Sequence, residues 1–165
     1  MHQPIRLLFG LVFVVDMTSA VAQQFDLLTF NCLVGYENDD HPQICAEVDP
    51  VSKNDVAAAR RKWVERNAKA LGELQVACRT RLIRVYGDKH AIDEAKEQAR
   101  RLRAKMRSSL LADPNRRNMV NCRAYAEDFA TGNPKIDIQR QFIDETLNSP
   151  AHRIEWPNNP VESNK

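Results

Sequence analysis

The sequence predicts an all-α fold: a small three- to four-helix bundle with two disulfides, an irregular N-terminal segment before it and an extended polar tail after it. Three observations carry that expectation. Apolar residues recur at three- and four-residue steps through most of residues 54–148, the period of a helix with one buried face. Proline within that stretch falls only between the periodic runs, at Pro114 and Pro134. Four cysteines, an even number, all lie after residue 22. Composition agrees: 43% hydrophobic and 28% charged residues in a chain of 165 exclude wholesale disorder, and five glycines exclude collagen-like and glycine-loop architectures. The length suits one domain.

Residues 1–22 read as a cleaved secretory leader. A short start with one cation, Arg6, precedes the apolar run Leu7 to Val15, and Ala20-Val21-Ala22 is a small-x-small cleavage signature. A spanning helix needs roughly 20 apolar residues, and Asp16 ends this run well short of that. The expected product is an exported chain, periplasmic or secreted, that begins at Gln23 and has no membrane span after cleavage.

Residues 23–53 are expected as an irregular acidic segment packed on the bundle. Asn38-Asp39-Asp40-His41-Pro42 is turn chemistry and Asp49-Pro50 a break. Leu27 to Val34 is too short for periodicity to separate helix from strand. The bundle occupies 54–148. Ser52, with Asp55 three residues on, resembles a capping box, and one helix of up to nine turns should run from Asn54 to Tyr86, burying Val56, Ala59, Trp63, Ala70, Leu74, Cys78, Leu82 and Val85. Gly87-Asp88 ends it. A second helix buries Ile92, Ala95, Ala99, Leu102, Met106 and Leu110. Asp113 and Pro114 then supply an N-cap and a first helical residue for a third, with Met119, Cys122, Tyr125, Ala126 and Phe129 inward. Gly132-Asn133-Pro134 stops it, and a short fourth helix covers Ile136 to Leu147. Residues 149–165 form the tail, in which Ile154 and Trp156 are the residues able to dock.

Cys32, Cys45, Cys78 and Cys122 are separated by 12, 32 and 43 residues. The close ligand pairs of a structural zinc site are missing, and so is any CxxC redox or haem motif. Two disulfides are the expectation, with Cys32–Cys45 and Cys78–Cys122 favoured: Cys78 and Cys122 sit on apolar stripes, and the first pair closes a short loop. The two crossed pairings remain open.

Charge is unevenly placed. Residues 23–53 carry six acids and one base, 54–112 carry fifteen bases and seven acids, and the remainder is nearly neutral. On the second helix Arg100, Arg101, Arg103, Lys105 and Arg107 lie mostly opposite the apolar stripe, a candidate face for an anionic partner. Solvation of a helix balanced by the acidic segment is the plainer account of the same residues. Export disfavours nucleic acid as the partner and leaves an anionic envelope component or another exported protein. Glu37, Asp39, Asp40 and His41 could hold a hard cation, but the EF-hand pattern is missing and turn solvation explains them better. His41, His90 and His152 have no ligand-spaced neighbour, so no metal and no cofactor is expected. GxSxG, HExxH, P-loop and GxGxxG motifs are missing too, and no catalytic residue is assigned.

The function these readings favour is a non-enzymatic exported helical protein, periplasmic in a bacterium, that binds a macromolecular partner in the cell envelope. An accessory role in a secretion or conjugation apparatus is one alternative, and a small hydrolase with an unrecognised carboxylate pair is another. Mass spectrometry of exported material should show a chain that starts at Gln23; an exported pool retaining Met1 would contradict the leader.

Overall fold

A computed structural model of the chain describes residues 26–36 and 39–156. The leader, Phe25, Glu37 and the tail beyond residue 156 lie outside the described residues. Among the described residues the chain is all-helical, without a strand, and holds two disulfides. The described residues form eight helices rather than three or four.

Two of the additional helices come from the segment expected to be irregular: α1 (Leu27–Val34) and α2 (His41–Val48). Each is only eight residues long, and isolated helices of that length are marginal. Burial therefore carries them. Thr29, Phe30, Cys32 and Leu33 are buried from α1, and Ile44 and Cys45 from α2. Asp26 caps α1 by accepting the Thr29 N–H at 2.9 Å.

The long helix expected over 54–86 is broken into α3 (Lys53–Arg66) and α4 (Ala68–Tyr86). The break sits at Asn67, 5% exposed, with φ −98° and ψ 10°. Its side-chain amide donates to the Trp63 carbonyl at 2.9 Å and to Asp137 Oδ1 at 3.0 Å, and its Oδ1 accepts the Ile138 N–H at 2.9 Å. An asparagine that competes for the helix's own carbonyls loosens the helix. Here it also ties the break to a distant loop. Ser52 precedes α3 as expected but does not cap it through its side chain; its hydroxyl donates to Asp49 at 2.6 Å.

α5 (Lys89–Ala112) is the expected second helix, capped by Asp88. Asp113 and Pro114 start α6 (Pro114–Asn118) as predicted, but the helix stops there and α7 (Cys122–Thr131) begins afresh. Asn121 caps α7 by accepting the Ala124 N–H at 3.0 Å. Met119, expected in the core, falls in the intervening turn and is 81% exposed. Gly132 ends α7 at φ 76°, a backbone conformation that favours glycine. α8 (Arg140–Asn148) completes the set.

The kink at Asn67 separates two cores. α4 packs with α1, α5 and α8 around Phe30, Leu33, Leu74, Leu82, Tyr86 and Ile143. α3 packs with α2 and α7 around Val56, Trp63, Tyr125, Phe129 and Ile136. Each core holds one disulfide, Cys32–Cys78 in the first (Cα–Cα 5.1 Å) and Cys45–Cys122 in the second (5.7 Å). The favoured pairing, Cys32–Cys45 with Cys78–Cys122, is therefore corrected to one of the crossed alternatives. Cys78 and Cys122 do lie on apolar stripes, but the stripes face different cores. Loop length is a weak guide in any case, since each doubling costs only about 0.6 kcal/mol.

Arg81 binds the first core together. Its side chain is 1% exposed. Nε donates to Thr29 Oγ1 at 2.9 Å, Nη1 to the carbonyls of Thr146 and Ser149 at 3.1 and 3.2 Å, and Nη2 to Asp26 Oδ2 and the Pro150 carbonyl, both at 2.8 Å. Burial pushes the Asp26 carboxyl up, but the His152 and Thr29 N–H groups, the Thr29 hydroxyl and Arg81 hold it below its ordinary value. The tail follows the same anchor: His152 N–H donates to Asp26 at 2.9 Å, Arg153 lies over the Tyr86 ring, and Ile154 is buried. Arg81→Met strips a buried carboxylate of its cation and should cost about 3–5 kcal/mol in urea denaturation. Adding Asp26→Asn should recover part of that loss. A cost under about 1 kcal/mol, the worth of an exposed pair, would rule out the anchor.

Candidate functional site

A groove of about 620 Å³ lies between α4 and α5. The chain turns from α4 into α5 at Gly87, and α1 packs against both helices. Leu71, Leu74, Leu82 and Ile92 and the Cys32–Cys78 bridge line its floor, and Arg79, Asp88, Lys89, Asp93 and Lys96 its rim. Apolar floor and rim charges of both signs suit an amphipathic protein segment, with side chains to bury and charges to pair. From Leu71 to Ile83 the α4 wall is roughly 18 Å long, three turns of a bound helix. No pattern in the sequence pointed to this groove: its floor residues lie on ordinary buried stripes, and only tertiary packing brings them together along it.

A second constellation lies over the other core. Asp39 Oδ1 accepts the His41 backbone N–H at 3.0 Å and faces His41 Nδ1 at 2.8 Å. Its Oδ2 accepts the Tyr125 hydroxyl and lies 3.9 Å from Arg60 Nε. Burial pushes the Asp39 carboxyl up, yet the His41 hydrogen bond and charge, with the Tyr125 hydroxyl, hold it well below the ordinary value of 3.8. An ionised carboxylate only accepts, so His41 Nδ1 carries the proton and Nε2 is the nitrogen left over. The Tyr125 hydroxyl is pushed far up, by burial and by the adjacent Asp39 charge. Rings stack outward to inward, His41 on Tyr125 at 4.7 Å and Tyr125 on Phe129 at 4.1 Å. The Arg60 guanidinium sits 4.3 Å from the Trp63 ring centroid and donates to the Tyr36 carbonyl at 2.8 Å.

This is a joint that fastens the Asp39–His41 turn to α3 and α7. Both carboxylate oxygens of Asp39 are engaged by groups of the chain itself, so its hydrogen-bonding capacity is spent on structure. Asp40, the third residue of the expected cation cluster within the described part, turns the other way and pairs with Arg103 at 2.7 Å. No group of three metal-ligating side chains comes together among the described residues. His90 lies near Glu94 on α5, and His152 is in the tail. The signal for the joint was in the sequence as an Asp-x-His turn and a tyrosine on an apolar stripe, but nothing in the spacing linked residues 86 positions apart.

The candidate anionic-partner face divides in two. Arg100 and Arg101 are exposed and both pair with Glu97, at 2.7 and 3.1 Å; Lys105 is exposed. Arg103 and Arg107 instead turn onto the start of α2. Arg103 meets Asp40 at 2.7 Å, and Arg107 reaches Gln43 Oε1 at 2.6 Å and Asp40 Oδ1 at 3.8 Å. Two of the five cations thus hold α2 to α5, which the helical period alone could not reveal. No helix among the described residues is long and apolar enough to cross a membrane. Comparison with protein-family models, curated proteins and solved structures gives no match, so the geometry alone carries the functional reading.

Asp39 gives the joint a defined pH response. Its folded-state value is depressed, so its stabilisation is complete above the unfolded value near 3.8 and is lost as pH falls through the folded value. Asp39→Asn should lower stability at pH 7 by about 2 kcal/mol, the worth of a hydrogen bond to a charged group. The gap from wild type should narrow in denaturation curves taken at about pH 3 and below. A gap independent of pH would show that the ionised carboxylate is not what holds the turn.

Proposed function

We propose that this chain is an exported binding protein whose groove between α4 and α5 takes a helical segment of another exported protein in the cell envelope. The groove carries the reading: an apolar floor long enough for three helical turns, with rim charges of both signs. Two disulfides on a small all-helical chain support an oxidising compartment, and the leader read from residues 1–22 supplies the route. Periplasmic and secreted destinations both fit that route. The mixed rim favours a protein over an anionic polymer, because Asp88 and Asp93 would repel a polyanion. The exposed part of the α5 basic face, Arg100, Arg101 and Lys105, remains a secondary contact for an anionic component.

The test is capture of partners from envelope extract by wild type and by a variant with the groove obstructed, Gln75→Trp with Lys96→Glu. Both positions line the groove. The obstructed variant should lose a protein partner that Arg100→Gln with Arg101→Gln retains. A partner lost only with the arginines would transfer the function to the basic face, and identical captures in all three would end the groove reading.

A further inference from the structure

The two disulfides differ in their surroundings. Cys45 and Cys122 are 0% and 2% exposed, sealed in the second core. Cys32 and Cys78 are 7% and 8% exposed, and both line the groove between α4 and α5. A disulfide is opened by a thiolate that attacks one of its sulfurs, so access decides which bridge reacts. The groove gives one bridge an approach that the other does not have.

The rim favours the same reaction. Asp93 pairs with Lys89 at 3.4 Å, and Asp88 caps α5 by accepting the Ala91 N–H at 2.9 Å. Arg79 on α4 and Lys96 on α5 line the groove from its two walls, and neither has an ion pair among the described residues. Cations left over in this way attract an incoming thiolate and stabilise the thiolate that departs, because a nearby positive charge favours the ionised form of a thiol.

The fold also determines what opening the bridge releases. Two polar devices tie α1 to α4. One is the Cys32–Cys78 bridge, in the last turn of α1; the other is Arg81, which holds Asp26 and Thr29 at its start. With the bridge open, Arg81 still fixes the first turn. The last turn, and Gly35 and Tyr36 that follow it on the groove, lose their covalent tie, and an eight-residue helix has little stability of its own.

We propose that Cys32–Cys78 is a site of thiol–disulfide exchange, reached through the groove by a dithiol, and that its opening loosens the groove wall at the end of α1. The chain has no free cysteine, so both electrons come from the dithiol. One thiolate of the dithiol attacks a bridge sulfur, forms a mixed disulfide and releases the other cysteine as a thiolate. The second thiolate of the dithiol then attacks its own partner sulfur in the mixed disulfide and releases the second cysteine. The dithiol departs as a disulfide, and its two protons pass to the two cysteine thiolates. The inference rests on the shape of the groove and not on its occupant, though a segment seated there would cover the bridge and slow the exchange.

Timed reduction of the folded mature chain with dithiothreitol, followed by iodoacetamide alkylation and mass spectrometry of each cysteine, tests it. Cys32 and Cys78 should be alkylated at least about tenfold faster than Cys45 and Cys122, in a chain that keeps its helical circular dichroism. The rate should rise in proportion to dithiothreitol. Gln75→Trp, which sets an indole into the groove, should slow the first bridge severalfold and leave the second unchanged. At equal thiolate concentration, anionic mercaptoethanesulfonate should outpace cationic cysteamine at Cys32–Cys78, and Arg79→Gln with Lys96→Gln should abolish that preference. Amide hydrogen exchange at residues 31–35 should quicken once this bridge alone is reduced. Equal rates at the two bridges, a rate that stops rising with dithiothreitol, or indifference to Gln75→Trp would overturn the exchange site. Unchanged protection of residues 31–35 would overturn the loosened wall. None of these outcomes alters the capture experiment that tests the groove as a binding site.

Discussion

The buried Arg81–Asp26 pair is the constraint on which the first half of the molecule depends. A guanidinium with 1% exposure is tolerable only when its donors are met. Meeting them draws in the start of α1, the end of α8 and the first residues of the tail. The first of these is far in sequence from the other two, which are contiguous, and none is long enough to be stable alone. α1 gains its cap from the same aspartate that neutralises the arginine. The groove floor follows, because α1 stands where Asp26 and the Cys32–Cys78 bridge place it.

The same device recurs where the acidic segment meets the basic helices. Asp39 reaches toward Arg60 on α3, and Asp40 pairs with Arg103 on α5. Charges that look like opposing blocks along the sequence are thus partly consumed in fastening α1 and α2 to the helices after them. Arg103 and Arg107 lie where long stems pack and heads still reach an acid, so replacing them changes packing as well as charge. Arg100 and Arg101 only bridge to Glu97 on their own helix.

The division into two cores explains the disulfides. Asn67 bends the chain so that α3 and α4 each turn a buried face to different partners. α1 goes with α4 and α2 with α7, and one bridge closes each association. Crossed bridges of this kind link the acidic segment to both halves of the bundle. They do so across 46 and 77 positions of sequence.

Helical class, the stop at Gly87, the cap at Asp113, the end at Gly132 and the burial of Trp63, Cys78 and Phe129 were determined by the sequence itself. Each rests on local physics: a 3.6-residue period, a side chain that satisfies orphan N–H groups, a backbone conformation that only glycine takes easily. The kink at Asn67, the turn that exposes Met119, the helicity of α1 and α2, the disulfide partners, the Asp39–Tyr125 joint and the groove were decided by tertiary structure. All of these turn on which helix faces which. A period states that a residue points inward but not at whom, and an asparagine or arginine chooses its partner only after packing has brought one within a few ångströms.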